Sequence, residues 1–116
     1  MSEQVTCNTV FLNLAFKNRT CEYQLTGPPG LHTEDLPYTF YKGNTSTITN
    51  LTITQPMQGF ITCFAQTGNP NGRGLSEFQR YINMAMELNL NVTGISMRSD
   101  STHIDMCLYW QKALYV

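Results

Sequence analysis

Two histidines are the side chains of this sequence that titrate near neutral pH in an ordinary environment, and each has acidic neighbours. His32 lies in a Gly/Pro-rich stretch beside Glu34 and Asp35. His103 and Asp105 are two residues apart, so on a strand they share one face. Either arrangement could relay a proton or offer part of a metal-ligand set. A metal needs further ligands, and the sequence names none, so neither a metal nor a cofactor is expected. A pair of solvent-facing residues near a turn explains His103 and Asp105 more simply.

Nucleophile motifs are missing. There is no G-x-S-x-G, and Ser76 reads as a helix N-cap. Glu34 and Asp35 are adjacent, so in an extended loop they point apart, which is poor geometry for paired carboxylates. Gly68, Gly72 and Gly74 form no phosphate loop, because no Gly-Lys-Ser/Thr follows them. No residue is assigned a catalytic role.

Cysteines and sequons carry more weight. The four cysteines, Cys7, Cys21, Cys63 and Cys107, are widely and unevenly spaced, with no C-x-x-C. That spacing suits two disulfides better than zinc. Four N-glycosylation sequons begin at Asn18, Asn44, Asn50 and Asn91. Together they predict a secreted, oxidised, glycan-bearing protein. The start Met-Ser-Glu-Gln is polar and unlike a secretory leader, which suggests a mature form with an added initiator Met. A chain of 116 residues with 13% charged residues and a net charge of −1 makes one domain, residues 1–116. Nothing basic is clustered, so nucleic acid is not an expected partner. No apolar run approaches the ~18 residues that would span a bilayer.

Positioning these residues falls mainly to strands. Val10, Leu12, Leu14 and Phe16 alternate along 9–17 as in a first strand. Residues 21–25 form a second, ended by Gly27-Pro28-Pro29-Gly30, and the stretch to Pro37 reads as an exposed loop. Further strands are expected at 38–42, 46–55 and 60–66, with Gln55 to Gly59 as a turn. Ser76 and Gln79 can form a capping box, and Leu75, Phe78, Tyr81, Ile82, Ala85 and Leu88 recur at helical spacing. One amphipathic helix over 75–88 follows, burying Phe78, Tyr81 or Ile82, and Ala85. Strands at 92–98 and from His103 to about Lys112 complete the chain. If the first hairpin turns at Asn18-Arg19, Cys21 is too far from Cys7 to bridge it, so each pairs with Cys63 or Cys107.

Residues 59–107, from GFITCFAQTGNPNGRGLSEFQRYINMAMELNLNVTGISM to Cys107, resemble the C-terminal part of lipocalins: a last strand, one helix, a short strand and a cysteine. The resemblance implies a small β-barrel with a helix packed on it. The expected fold is therefore β-rich α+β, an antiparallel sheet or small lipocalin-like barrel carrying one helix.

Aromatics supply candidate binding surface. Tyr38, Phe40, Tyr41, Phe64, Tyr109 and Trp110, with Phe60, could line an apolar ligand cavity, or simply fill a core. Met84, Met86, Met97 and Met106 offer pliant packing or a forgiving surface for a partner. The expected function is a non-enzymatic one: a secreted, disulfide-bonded glycoprotein that sequesters an extracellular partner protein or a small apolar ligand. An immune-modulating effector is one setting for it. The alternatives are a small secreted enzyme using His103/Asp105 or His32/Glu34, and a structural or adhesion domain of a larger glycoprotein.

Overall fold

The computed structural model describes residues 3–17, 19–27, 29–43, 50–82, 85–102 and 104–112. It is a small α+β structure: helix α1 (Glu3–Ala15), strand β1 (Glu22–Leu25), short helix α2 (Leu36–Thr39), helix α3 (Leu51–Thr67), strands β2 (Met86–Asn91) and β3 (Gly94–Ser99), and helix α4 (Ile104–Lys112). The described strands form one sheet of order β1-β2-β3. β2 pairs antiparallel with β3 but parallel with β1, so the sheet is mixed, not antiparallel. It does not close, and the expected barrel is corrected to an open sheet flanked by helices.

Where strands were expected, helices are often found. In α1 the buried residues are Cys7, Val10 and Asn13, three apart, along one side of a helix. Leu12, Leu14 and Phe16 lie exposed, and they produced the misleading alternation. Residues 38–42 are not a strand: Pro37 sits in the first turn of α2, where its missing N–H costs nothing. Thr39 N–H donates to Asp35 O at 2.9 Å.

From residue 50 on, the strands expected at 46–55 and 60–66 are replaced by a single helix, α3, while residues 46–49 lie outside the described residues. Asn50 caps it, its side-chain oxygen accepting from Thr52 N–H at 3.0 Å. Gly68 ends it in the left-handed conformation, φ 73°, which glycine adopts without strain. Pro56 lies inside the helix and did not break it. Ile53, Thr54, Met57 and Phe60 are its buried face. Gly59 is a contact point, not a turn: a Cβ there would lie 2.9 Å from Leu75 Cδ2.

The helix expected over 75–88 is absent from the described part of that segment. Its start runs irregularly and its end belongs to β2. Asn71 takes over the backbone bonding that a helix would have supplied. Its Oδ1 accepts from Phe78 N–H at 2.7 Å and its Nδ2 donates to Phe78 O at 3.0 Å. Phe78 is buried nonetheless, its ring edge-on to Phe60 with centroids 5.2 Å apart. The final strand from His103 is instead α4, with Asp105 in its first turn and Lys112 in its last, both matched to the helix dipole.

The two faces of the sheet differ. Leu88 and Leu90 join Ile53, Met57, Phe60 and Phe78 in the core beneath α3, with Leu25, Ile95 and Met97 around them. Glu22, Gln24, Glu87 and Arg98 alternate with these apolar residues and occupy the opposite face. Asn13 of α1 meets that face, donating to Glu22 Oε2 at 2.5 Å. α1 in turn is bonded to α4 by a disulfide between Cys7 and Cys107, Cα atoms 5.0 Å apart. Cys21 and Cys63 are free thiols, which corrects the expectation of two bridges. Burial pushes the Cys21 thiol pKa up, against the lowering influence of Arg80.

Candidate functional site

The chain between β1 and α2 carries one of the expected chemical groups. β1 ends at Leu25, and Thr26 N–H still donates to Leu90 O at 2.9 Å. The loop then runs past His32, which is exposed, to Asp35 at the start of α2. Its backbone is tightly bonded. Leu31 N–H donates to Glu34 Oε2 at 3.0 Å, Glu34 N–H to Leu31 O at 3.3 Å, and Leu36 N–H to Thr33 O at 3.1 Å. Thr33 has φ 73°, a left-handed conformation that is strained for a β-branched residue.

Glu34 is thus occupied in closing the loop. Among the described residues no side chain hydrogen-bonds His32. Asp35 faces the sheet, where its Oδ2 accepts from Tyr23 Oη at 2.9 Å. Burial and the Asp35 carboxylate push the Tyr23 phenol up to about 12, so it stays a donor through the neutral range. Of the other proposed pair, Asp105 is exposed on α4 and His103 lies outside the described residues. No metal-binding group of three acids, histidines or cysteines occurs among the described residues.

The polar face of the sheet holds a second titratable cluster. Arg98 Nε donates to Glu87 Oε1 at 2.6 Å, and Arg98 Nη2 donates to Gln24. Glu22 stands beside Glu87 in register, and burial above all pushes its carboxyl up to about 7; Asp100 and Glu87 add to this, while Asn13 opposes it. Tyr81 Oη donates to Asp100 Oδ2 at 2.7 Å.

Two clefts open beside α3. One, about 460 Å³, is mainly apolar, lined among others by Tyr23, Phe60, Phe64, Leu88 and Leu90. The other, about 760 Å³, lies against Arg19, Glu77, Arg80 and Met86. Of the aromatic ligand candidates, Phe64 alone lines both. Tyr38 packs against the core and Tyr41 is half-buried, while Phe40 is exposed. Tyr109 and Trp110 stack edge-on to each other on α4. The six do not form one pocket. Asn50 and Asn91 are partly exposed, and Asn18 and Asn44 lie outside the described residues.

No family model matches the chain. Two curated proteins do: the carboxylesterase patB of Aspergillus clavatus, 38% identical over 107 residues, and the carboxylesterase patB of Penicillium expansum, 35% identical over 108. The alignments cover 91% and 92% of this chain but 19% of each relative, so the chain spans about a fifth of their length. Among solved structures, Aspergillus niger EstA superposes with a TM-score of 0.56 and 25% identity, covering 69% of this chain and 18% of that one.

These likenesses overturn three expectations. The resemblance to lipocalins fails, because the similar proteins are carboxylesterases and EstA. The non-enzymatic, sequestering function and its binding-protein label fail with it, since named carboxylesterases point to a hydrolase. The alternative of a small enzyme, given with His103/Asp105 or His32/Glu34, is the better supported one as to class of function. His32, one of the histidines that alternative named, lies in a Gly/Pro-rich loop directly after a strand. What was missing was that this strand pairs in parallel with one more than sixty residues further on.

Proposed function

We propose that this chain is the histidine-bearing part of a carboxylic ester hydrolase, and that His32 is its general base. One observation carries this: His32 lies on the loop that leaves the carboxyl end of β1, a strand in parallel pairing. In open sheets with parallel strands, ligands bind in the crevice outside those carboxyl ends. The likeness to carboxylesterases supports the reaction class.

Ester hydrolysis at neutral pH uses a nucleophile, a base that takes its proton, and donors for the developing oxyanion. His32 would accept the proton of an attacking hydroxyl and return it to the departing alkoxide, which leaves as the alcohol. A water then repeats the exchange and frees the acid. The nucleophile, and a carboxylate to orient the imidazole, are assigned to parts of a longer protein that lie beyond this alignment. The exposure of His32 fits a group that meets its partners across an interface.

The Cys7–Cys107 disulfide and the sequons at Asn50 and Asn91 support an oxidising, secretory location. No described helix is long and apolar enough to cross a membrane.

The test is hydrolysis of p-nitrophenyl acetate by the longest natural form of the protein. His32→Gln should lower kcat by about a hundredfold or more without shifting the melting temperature. Wild-type hydrolysis by that variant would refute the assignment.

A further inference from the structure

The loop that carries His32 is tied to β2 at its start, where Thr26 bonds Asn89, Leu90 and Asn91, but the part around His32 has few described ties to the sheet. Its hydrogen bonds from Leu31 to Glu34, and from Leu36 back to Thr33, are internal. They fix the curve of the backbone without fixing where that curve points. Thr33, next to the histidine, is held at φ 73°, a conformation that persists only when its surroundings over-determine it. One described side-chain bond ties the loop to β1: Tyr23 Oη donates to Asp35 Oδ2 at 2.9 Å.

We infer that Tyr23 and Asp35 are positioning residues for His32. Their hydrogen bond pins the far end of the loop to the strand it left, and so sets the direction in which the imidazole is presented. This rests on the hydrolase reading above. Neither residue touches a reacting atom; both act through the backbone between them.

Three features support the inference. The bond joins residues 12 apart in sequence, so it closes the whole segment rather than one turn. Asp35 is also the N-cap position of α2, and its carbonyl accepts from Thr39 N–H, so moving Asp35 moves the helix start with the loop. The other end of α2 is anchored separately, with Gln58 Nε2 donating to Thr39 O and Tyr41 O at 3.2 and 3.1 Å. Asp35 is therefore the corner where the loop's placement is decided. A general base must come within about 3 Å of the proton it takes, and a displacement near 1 Å costs up to about a hundredfold in rate. Tyr23 remains a donor across the pH range of such a reaction, because its phenol titrates near 12.

The experiment compares four variants of the longest natural form on p-nitrophenyl acetate. Tyr23→Phe keeps the ring and removes the donor. Asp35→Ala removes the acceptor, whereas Asp35→Asn keeps an oxygen that can accept. We expect Tyr23→Phe and Asp35→Ala to lower kcat roughly tenfold with KM little changed. Asp35→Asn should restore most of the rate, and the double variant Tyr23→Phe/Asp35→Ala should be no worse than either single change. Wild-type kcat in both Tyr23→Phe and Asp35→Ala overturns the inference. Amide hydrogen exchange gives a readout independent of turnover. The Leu31 and Glu34 amides should exchange faster in Tyr23→Phe while those of Leu88 and Leu90 do not. Unchanged exchange at Leu31 also overturns it, whatever His32 does. Loss of hydrolase chemistry as an explanation would show differently, as full activity in His32→Gln with the exchange effect intact.

Discussion

Glu22 of β1 stands directly opposite Glu87 of β2, and of these two carboxylates only Glu87 has a cation, Arg98 at 2.6 Å. The arrangement favours a proton on Glu22. Partial burial is the largest cause, the neighbouring Asp100 and Glu87 add to it, and the Asn13 hydrogen bond opposes it; the result is a carboxyl pushed up to about 7 from its ordinary 4.5. The folded state therefore holds this proton to higher pH than the unfolded chain does. Stability from this group is full below pH 4.5 and falls as pH rises through about 7, levelling off above. Glu22 is only partly buried, so solvent screening reduces the effect. Urea midpoints measured from pH 4.5 to 8 should decline in the wild type and decline less in Glu22→Gln. Parallel curves for the two proteins would refute this account.

Phe78 belongs to the core cluster from outside any helix or strand. It reaches the core from an irregular segment held by Asn71, and its ring meets Phe60 at 77°. Phe78→Ala should cost about 3–5 kcal/mol, from lost burial plus the cavity left behind. Asn71→Ala should also destabilise, by about 1–3 kcal/mol, because it strands the N–H and C=O of a buried residue. Chemical denaturation of both variants checks this pair of values. A Phe78→Ala protein as stable as the wild type would mean that this ring does not pack in the core.

Two of the three described strands were legible locally, while the central strand β2 begins inside the segment expected as a helix. The stretch 21–25, its end before Gly27, and the strand in 92–98 appear where short-range pattern put them. The helices were not. In α1 the exposed Leu12, Leu14 and Phe16 imitate a strand's alternation, while the burial that decides the matter falls on Cys7, Val10 and Asn13. In α3 the β-branched residues Thr52, Ile53 and Thr54, followed by Pro56 and Gly59, carry strand and turn propensity, yet the face Ile53–Met57–Phe60 packs on the sheet and prevails. The candidate site was half legible. His32, Glu34 and Asp35 were visible as a cluster, but the pairing of Tyr23 with Leu88 is not a local property of sequence. Neither was the hydrogen bond that Asp35 accepts from Tyr23.

The Cys7–Cys107 bridge closes a loop of 100 residues between α1 and α4. A cross-link over that length restricts the unfolded chain by roughly 4–5 kcal/mol in the chain-entropy account. Replacing both cysteines by serine should lower unfolding stability by about 2–5 kcal/mol. Cys21→Ser, which breaks no bridge, should have a much smaller effect. Thiol counting on the unfolded, unreduced protein should find two free thiols, Cys21 and Cys63. Four would mean that the bridge does not form, and none that a second bridge exists.

Thr33 offers the sharpest separation of stability from function. Its φ of 73° puts a β-branched side chain in the left-handed region, where an L-residue is disfavoured by roughly 1–2 kcal/mol. Glycine enters that region freely but loses more backbone entropy on folding, by roughly 0.5–1 kcal/mol. The relief is the larger of the two. Thr33→Gly should therefore stabilise the protein slightly, by up to about 1 kcal/mol. Thr33→Val keeps the branching and the strain and should not stabilise. The loop's hydrogen bonds use backbone atoms at this position, so the Thr33 O acceptor for Leu36 N–H survives both changes. If His32 works from a loop whose shape is fixed by strain, Thr33→Gly should also lower kcat on p-nitrophenyl acetate while raising the melting temperature. A variant that gains stability and keeps its full rate would show that the strained conformation is incidental to the histidine beside it.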